Sequence, residues 1–364
     1  MKILIVNPIV YTSETPNIKK AASIKDTMIY DLCLAFLSQN VEVTLVAGLD
    51  YKPLEKENYP FRVVWAKCVL KKIFLPNALP FCPQILKLIK KEKFDLIISS
   101  EVFSINSLML AVKSSNNLIV WHELAKHNRI LYSIPSKIWY SLIARVFFSK
   151  SLVVPRSMQA KNFISKYCKN VSDLIIDHGI NLEKFLPSRN KDNYFAVSAQ
   201  LIKRKRIDKT IKKFAEYFNT FDSSVKLIIM GEGIEGETLK MLSRELGVEK
   251  NVIFTGKISH DKLKSVLAGA KALLVDTEKD NNMISISESL ACATPVITTS
   301  VPYNSSYIQK YNLGIVNDNW GAEDIKKIVV NNDEYIENCF NYRKNLSCAS
   351  KAKEFLKLSE GLKR

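Results

Sequence analysis

No run of about 18 consecutive apolar residues occurs in this sequence, which removes a membrane-spanning helix. The opening MKILIV passes directly into Asn-Pro without a long apolar region, so a first β-strand is expected there rather than a signal peptide. The seven cysteines show no Cys-x-x-Cys spacing and the four histidines are dispersed, which excludes a zinc signature. Reduced core thiols in a cytoplasmic protein are expected instead. No glycine precedes Gly48, and no acidic residue occurs from Asn58 to Lys91. Internal repeats, low-complexity segments and long linkers are also missing.

What is present is an ordinary globular composition, 47% hydrophobic and 24% charged, in 364 residues, enough for two domains with separate cores. The charge is less ordinary. The formal net charge is +17, of which residues 1–178 hold +11 and the remainder +6. Such a bias implies a polyanionic partner: an anionic bilayer, a pyrophosphate lipid or a nucleic acid. In and around the acid-free stretch, Lys67, Lys71, Lys72, Lys87, Lys90 and Lys91 are interleaved with Trp65, Phe74, Leu75, Leu79 and Phe81. Basic residues beside aromatics suit the headgroup region of an anionic membrane. They also suit a solvated helix face beside a strand. No nucleic-acid-binding module accompanies the charge, which disfavours that partner.

Short β-rich runs at Lys2–Val6, Val41–Val46, Arg62–Trp65, Asp95–Ser99, Leu118–Trp121 and Ser151–Val154 alternate with helical patterns near Lys25–Gln39, Pro83–Lys93, Asn106–Ser115 and Ser136–Phe148. This alternation predicts a parallel, doubly wound α/β sheet. His122 falls at the end of one run, at the expected edge of the sheet; a structural histidine is the alternative. His127 and His260 read as surface residues, and Arg156 as a phosphate contact or a surface ion pair. A polar stretch, Ser188–Asn193, precedes a second alternating set that begins with Tyr194–Ala199.

Within that second set, Leu273–Val301 carries the chemistry. Leu273–Val275 reads as a buried strand and Glu278–Asn282 as a polar loop. A helix follows from Ile284 to about Cys292, and Pro295 stops it before the β-branched run Val296–Thr299. A loop leaving the carboxyl end of a strand for a helix is where α/β proteins seat ligands. The helix start, at Asn282, Met283, Ile284 and Ser285, offers N–H groups and a positive dipole end to a phosphate. Asp280 and Glu288 flank it. Carboxylates beside an anion site suit hydroxyl-rich groups attached to a phosphate, and a sugar nucleotide has both.

Asp280-x7-Glu288 followed by Ala293-Thr294-Pro295-Val296-Ile297 resembles the donor signature of retaining GT-B glycosyltransferases (glycosyltransferase family 4, glycosyl transferases group 1), which runs Glu-x7-Glu and then Gly-Thr-Pro-Val-Ile. Asp177-His178-Gly179-Ile180-Asn181 with Phe185 and Pro187 is similar to the element that opens that family's second domain, with Gly179 granting a backbone conformation other residues avoid. Gln200-Leu201 to Asp208 resembles its Gly-Arg-Leu-x3-Lys-Gly-x-Asp segment, with Lys205 in the lysine position and Gln200 in that of the arginine. Lys203, Arg204 and Arg206 are candidates to replace the missing charge. Gly231-Glu232-Gly233 is similar to its Gly-Asp/Glu-Gly turn, whose glycines allow backbone approach to a ligand. The segment after Gly256, Lys257 and Ile258, stands where the family contacts the nucleotide base. In that family the first strand leads into a glycine-rich loop, where this chain has Ser13-Glu14-Thr15-Pro16.

The resemblance implies two Rossmann-like domains facing each other across a cleft. Residues 1–178 would form the acceptor-side domain, 179–193 a hinge and linker, and 194–340 the donor-binding domain, with 341–364 a helix returning to the first. With the cysteine usage and the basic, aromatic stretch, the expectation is a cytoplasmic enzyme, peripheral on the inner face of the plasma membrane. Such an enzyme moves a sugar, with retention, from a nucleoside diphosphate (UDP by analogy) to a hydroxyl of a polysaccharide, lipopolysaccharide or lipid-linked acceptor. Lys205 would stabilise the leaving diphosphate, Glu288 would bind ribose, Asp280 would hold sugar hydroxyls, and His122 would approach the sugar from the other domain. No cofactor is implied. The sequence lacks an Asp-x-Asp pair, and a lysine with a helix dipole replaces a divalent ion. The competing readings are a sugar-nucleotide 2-epimerase and a catalytically impaired partner subunit that binds sugar nucleotide or membrane.

Overall fold

The computed structural model describes residues 1–11, 18, 21–128 and 130–362, which form two bodies. The first comprises Met1–Gly179 with the C-terminal segment from Cys348, and the second Ile180–Ser347.

The first body is built on β1 (Lys2–Val6), β2 (Glu42–Gly48), β3 (Arg62–Ala66), β4 (Leu96–Ser100), β5 (Leu118–His122) and β6 (Leu152–Pro155), all parallel in the order β3-β2-β1-β4-β5-β6. Aliphatic runs such as KILIV form these strands because both sheet faces are covered. The period of two sends Ile3 and Ile5 to one core, with Phe36, Trp121 and Phe355. Leu4 and Val6 go to the other, with Leu110, Tyr140 and Phe163. The covering helices are α1 (Met28–Leu37), α2 (Gln84–Lys91), α3 (Ile105–Ser114), α4 (Ile134–Ile138), α5 (Arg145–Phe147) and α6 (Met158–Ile164). A π turn, Trp139–Ala144, joins α4 to α5, so the helix expected over Ser136–Phe148 starts two residues earlier, with Pro135 in its first turn.

The helix Cys348–Leu362 packs on α1 in this body. Its entry explains Gly179. That residue does not adopt a positive φ as expected; a Cβ there would stand 2.8 Å from Cys348 Cα, so glycine is needed for the approach of the two segments. Beside it, Lys351 Nζ lies 2.6 Å from Asp177 Oδ1, both side chains about nine-tenths buried. The Trp121 indole donates to the Ile176 carbonyl at 2.6 Å.

The second body repeats the plan with β7 (Tyr194–Ser198), β8 (Lys226–Met230), β9 (Val252–Gly256), β10 (Leu273–Leu274), β11 (Val296–Thr298) and β12 (Gly314–Val316), ordered β12-β11-β10-β7-β8-β9. Its helices are α7 (Ile207–Thr220), α8 (Gly236–Glu245), α9 (His260–Gly269), α10 (Ile284–Ala291), α11 (Ser305–Lys310), α12 (Ala322–Val330) and α13 (Asn332–Tyr342). Strand order reverses between β7 and β10, so the loops leaving their carboxyl ends diverge and open a crevice there. Residues 180–193, expected as hinge and linker, are packed into this body from Ile180 onward. Ile180 and Phe185 are buried, and the Arg343 guanidinium donates to the carbonyls of Phe185 at 2.8 Å and Ala291 at 3.0 Å. The same contacts keep 341–347 here, so the return to the first body starts at Cys348 rather than 341.

The seven cysteines are buried, and no disulfide joins them among the described residues. Among the described residues no helix is long and apolar enough to cross a membrane.

The Lys351–Asp177 pair sets a stability test. Lys351→Met leaves a buried carboxylate without its cation and should cost about 3 kcal/mol. Urea unfolding followed by tryptophan fluorescence should show that loss, and adding Asp177→Asn should recover most of it.

Candidate active site

At the carboxyl end of β7 the chain makes a single turn, Lys203–Lys205, before α7. At the end of β10 it runs through Thr277 and Asp280 to α10. The two loops are tied by charge. Lys205 Nζ donates to both Asp280 oxygens, at 3.0 and 2.9 Å, and Arg204 Nη1 donates to Oδ1 at 2.9 Å. Thr277 Oγ1 donates to Oδ2 at 2.5 Å, so each carboxylate oxygen accepts two bonds. Below this cluster Asp276, 2% exposed, faces Arg206 Nε at 3.3 Å and Lys213 Nζ at 2.5 Å, and that ammonium lies over the Trp320 ring at 4.0 Å. A small pocket between the strand ends is lined by Ser198, Ala199, Lys205, Val275, Thr277 and Met283. A larger hollow of about 630 Å³ beside β3 is lined by Lys52, Glu55, Lys56, Glu57, Tyr59 and Trp65, and no helix start among the described residues opens onto it.

Helix α10 begins beside this cluster. Its N-cap residue, Met283, has no capping side chain, and its N–H donates to Asn304 Oδ1 at 2.8 Å instead. The N–H groups of Ile284 and Ser285 donate to no group among the described residues, which leaves the first-turn donors that a helix cannot satisfy itself. Glu288, one turn further, is 8% exposed, and no hydrogen bond reaches its carboxyl among the described residues. Burial pushes that carboxyl up to about 7. Asn282, between Asp280 and the helix, is half-buried.

Gln200 is exposed just past β7; of the basic residues that follow it, Arg204 joins Asp280, Arg206 joins Asp276, and Lys203 is exposed. Gly231 and Gly233 are required by the chain's own packing. A Cβ on Gly231 would stand 1.9 Å from the Ala199 carbonyl oxygen, and one on Gly233 2.2 Å from that of Leu201. The close approach they permit is to the chain's own backbone, which holds the loop before Lys205 in place. Lys257 is exposed, with its N–H donating to Glu232 Oε1 at 3.2 Å, and Ile258 packs on the core.

In the first body His122 departs from expectation. The alternation along β5 sends its ring inward, fully buried beside Tyr140 and near-parallel to Phe163, with Nδ1 2.9 Å from Glu101 Oε2. Its neighbour Glu123 is the residue at the sheet edge, meeting Arg156 at 3.0 Å and His178 at 3.4 Å. Arg156 is no surface residue: it is 6% exposed and stacks on Trp121 at 3.7 Å. His127 is likewise half-buried, bonded to Ser136 Oγ and Tyr167 OH at 3.1 Å each. Ser13-Glu14-Thr15-Pro16 lies outside the described residues.

Of the basic stretch, Lys67, Lys72, Lys87, Lys90 and Lys91 are exposed, while Lys71 pairs with Asp50 at 2.5 Å. The aromatics turn inward, with Phe74 against Phe81 and with Trp65 and Leu79 on the cores. The exposed apolar residues there are Leu70, Ile73 and Leu75. Sequence reasoning missed a second set on the α4–α5 segment. Ile134, Ile138, Leu142 and Val146 are 57%, 51%, 64% and 63% exposed at four-residue spacing. They lie in a run, Leu124 to Ser172, that contains no acidic residue. The absence of acids was readable in the sequence; that this ridge faces outward was not. Thr277, Asp276 and Asn304 were also missed.

The family model described as Glycosyl transferases group 1 matches residues 180–351, and that described as Glycosyltransferase Family 4 matches residues 26–184. An uncharacterized glycosyltransferase of Methanocaldococcus jannaschii is 25% identical over 305 residues, 75% of this chain and 76% of its own length. The alpha-monoglucosyldiacylglycerol synthase of Streptococcus pneumoniae is 23% identical over 253 residues, 63% of this chain and 57% of that protein. The crystal structure of Anabaena Alr3699/HepE in complex with UDP superposes with a TM-score of 0.68 at 14% identity, covering 99% of this chain and all of that one, a likeness of fold. With two Rossmann-like sheets in place and the two models together spanning residues 26–351, the chain belongs to the GT-B glycosyltransferases of family 4, group 1, and is a sugar-transferring enzyme.

Proposed function

We propose that the protein transfers a sugar from a nucleoside diphosphate, UDP-linked by analogy with the Anabaena neighbour, to an acceptor hydroxyl with retention of configuration. One observation carries the reading: Lys205 and Arg204 are gathered on Asp280 beside the open N–H groups of α10, with the unpartnered Glu288 on the same helix. An incoming diphosphate competes with Asp280 for the ammonium and guanidinium groups. The acceptor positions that it releases on Asp280 then serve the hydroxyls of the sugar. As the glycosidic bond breaks, charge grows on the diphosphate, and the lysine with the helix dipole stabilises it without a metal ion. The leaving phosphate takes the acceptor proton on the same face, so no protein nucleophile is assigned. Glu288 holds the ribose hydroxyls. His122, shut inside its sheet, receives no part in the transfer. An epimerase would need further acid–base residues, and none is assigned.

The acceptor is proposed to be a glycan precursor or lipid at an anionic membrane surface. The exposed lysines and the outward ridge Ile134–Val146, flanked by Lys137, Arg145 and Lys150 in an acid-free run, favour it. The Streptococcus relative is named for a lipid product.

A thermal-shift screen of UDP-, GDP- and ADP-sugars tests the donor, since a ligand that binds the native state raises the melting temperature. Lys205→Ala leaves Asp280 its bonds from Arg204 and Thr277, and in protein that still unfolds cooperatively it should lower turnover about a hundredfold; undiminished turnover would remove the lysine from the site.

Glu288 adds a pH signature. Its raised value favours the protonated carboxyl, so the unliganded fold loses stability as pH climbs from the ordinary 4.5 through about 7. Glu288→Gln should therefore stabilise the fold more at pH 8 than at pH 5, by about 2 kcal/mol, in denaturant melts at both values. An equal effect at the two pH values would mean that the carboxyl is paired.

For the membrane, Leu142→Ser with Val146→Ser, and separately Lys72, Lys87 and Lys90 to Gln, should each reduce sedimentation with phosphatidylglycerol vesicles. Wild-type protein that stays in the supernatant would end the docking proposal.

A further inference from the structure

We propose that Asn304 is a positioning residue for the donor diphosphate, capping α10 from a separate loop and so deciding which backbone donors remain for the ligand. The inference rests on the donor reading above and extends it to a residue outside the signature. The loop before α10, Asn281-Asn282-Met283, contains no glycine, and methionine is a poor N-cap residue because it offers no acceptor to the first turn. Asn304, 1% exposed and 21 residues away, instead accepts the N–H of Met283 itself at 2.8 Å, one of the donors that a helix start leaves open. Its amide nitrogen donates to Ser287 Oγ at 3.2 Å and to Tyr307 OH at 2.5 Å. A flipped amide would set a donor against the Met283 N–H, so its orientation is fixed. The adjoining Tyr303 N–H donates to the Asn281 carbonyl at 2.8 Å, and the loop is thus held at two points by 303–304.

The result is selective. With the Met283 N–H consumed, the Ile284 and Ser285 N–H groups are the open donors of the first turn among the described residues. A buried acid without a partner, Glu288, stands on the same helix, an independent sign that this end is completed by a ligand.

Two measurements test this. Hydrogen exchange on the wild-type protein should find the Met283 amide protected without nucleotide, and the Ile284 and Ser285 amides gaining protection when UDP, GDP or ADP binds. A freely exchanging Met283 amide, or no gain at Ile284 and Ser285, would overturn the proposal. Asn304→Asp keeps the acceptor and the size but sets a negative charge beside the phosphate seat. Calorimetry should show binding of the same diphosphates weakened about tenfold at low salt, with the difference shrinking as salt rises, and an unliganded melting point close to that of the wild type. Binding equal to wild type at low salt would overturn the positioning role alone. Wild-type protein that binds none of the three would overturn the donor reading, and this inference with it.

Discussion

The bond between Lys205 and Asp280 joins residues 75 positions apart, and the organisation of the second sheet makes it possible. Because strand order reverses between β7 and β10, the loops after two adjacent parallel strands leave in opposite directions and share one crevice. Two cations and one carboxylate are then collected within bonding distance at the mouth of a helix. Alone, that carboxylate would be stranded at the strand ends, and the cations would repel each other. Together they form a set that is satisfied without ligand and exchangeable with one. An anion richer in oxygen than a single carboxylate can take over the ammonium and the guanidinium together, which a neutral molecule cannot.

The layers beneath the cluster make it stiff. Asp276 neutralises Arg206 and Lys213 from a buried position, so the run Lys203–Arg206 does not splay under its own repulsion. Gly231 and Gly233 allow the neighbouring turn to press on the backbone of Ala199 and Leu201, fixing where the loop leaves β7. Hydroxyl and amide groups at Ser287, Asn304 and Tyr307 do the same for α10. Each brace is short, buried and specific. Preorganisation of this kind lets a charge-stabilising site act without reorganising during the reaction.

How much of this was legible in the sequence follows from the range of each interaction. Strands such as Lys2–Val6 and Lys226–Met230 occur where their aliphatic runs stand, because two-sided burial leaves a continuous apolar signal. Lys205, Asp280 and Glu288 were readable from a familiar spacing. Their partners were not: Asn304 reaches Met283 across 21 residues, and nothing local in Tyr-Asn-Ser-Ser announces a cap for another helix. His122 was misread because a strand end fixes the position of a residue but not its face; the alternation that buries Val120 also buries His122. The outward ridge Ile134–Val146 failed for the opposite reason. Its helical spacing is the same whether a core or a solvent faces it, so periodicity alone assigns it to the interior.

The departures from the family's glycines have a physical reading of their own. Arg206 and Ala293 occupy places where the resembling motifs carry glycine, and both still adopt the left-handed conformation, with φ of 47° and 57°. The backbone path is therefore kept although the residue that makes it easy is gone, at a cost of about 1 kcal/mol for each. At Ala293 the path closes α10: Ala293 N–H reaches the Leu290 carbonyl at 3.0 Å and Thr294 N–H that of Ser289 at 2.9 Å, leaving Pro295 to start the next strand. At Arg206 the strained residue returns something glycine cannot, a guanidinium on the buried Asp276. Strain at one position and neutralisation at the next are thus parts of one arrangement, in which the fold keeps the shape of the site while redistributing the charges that hold it.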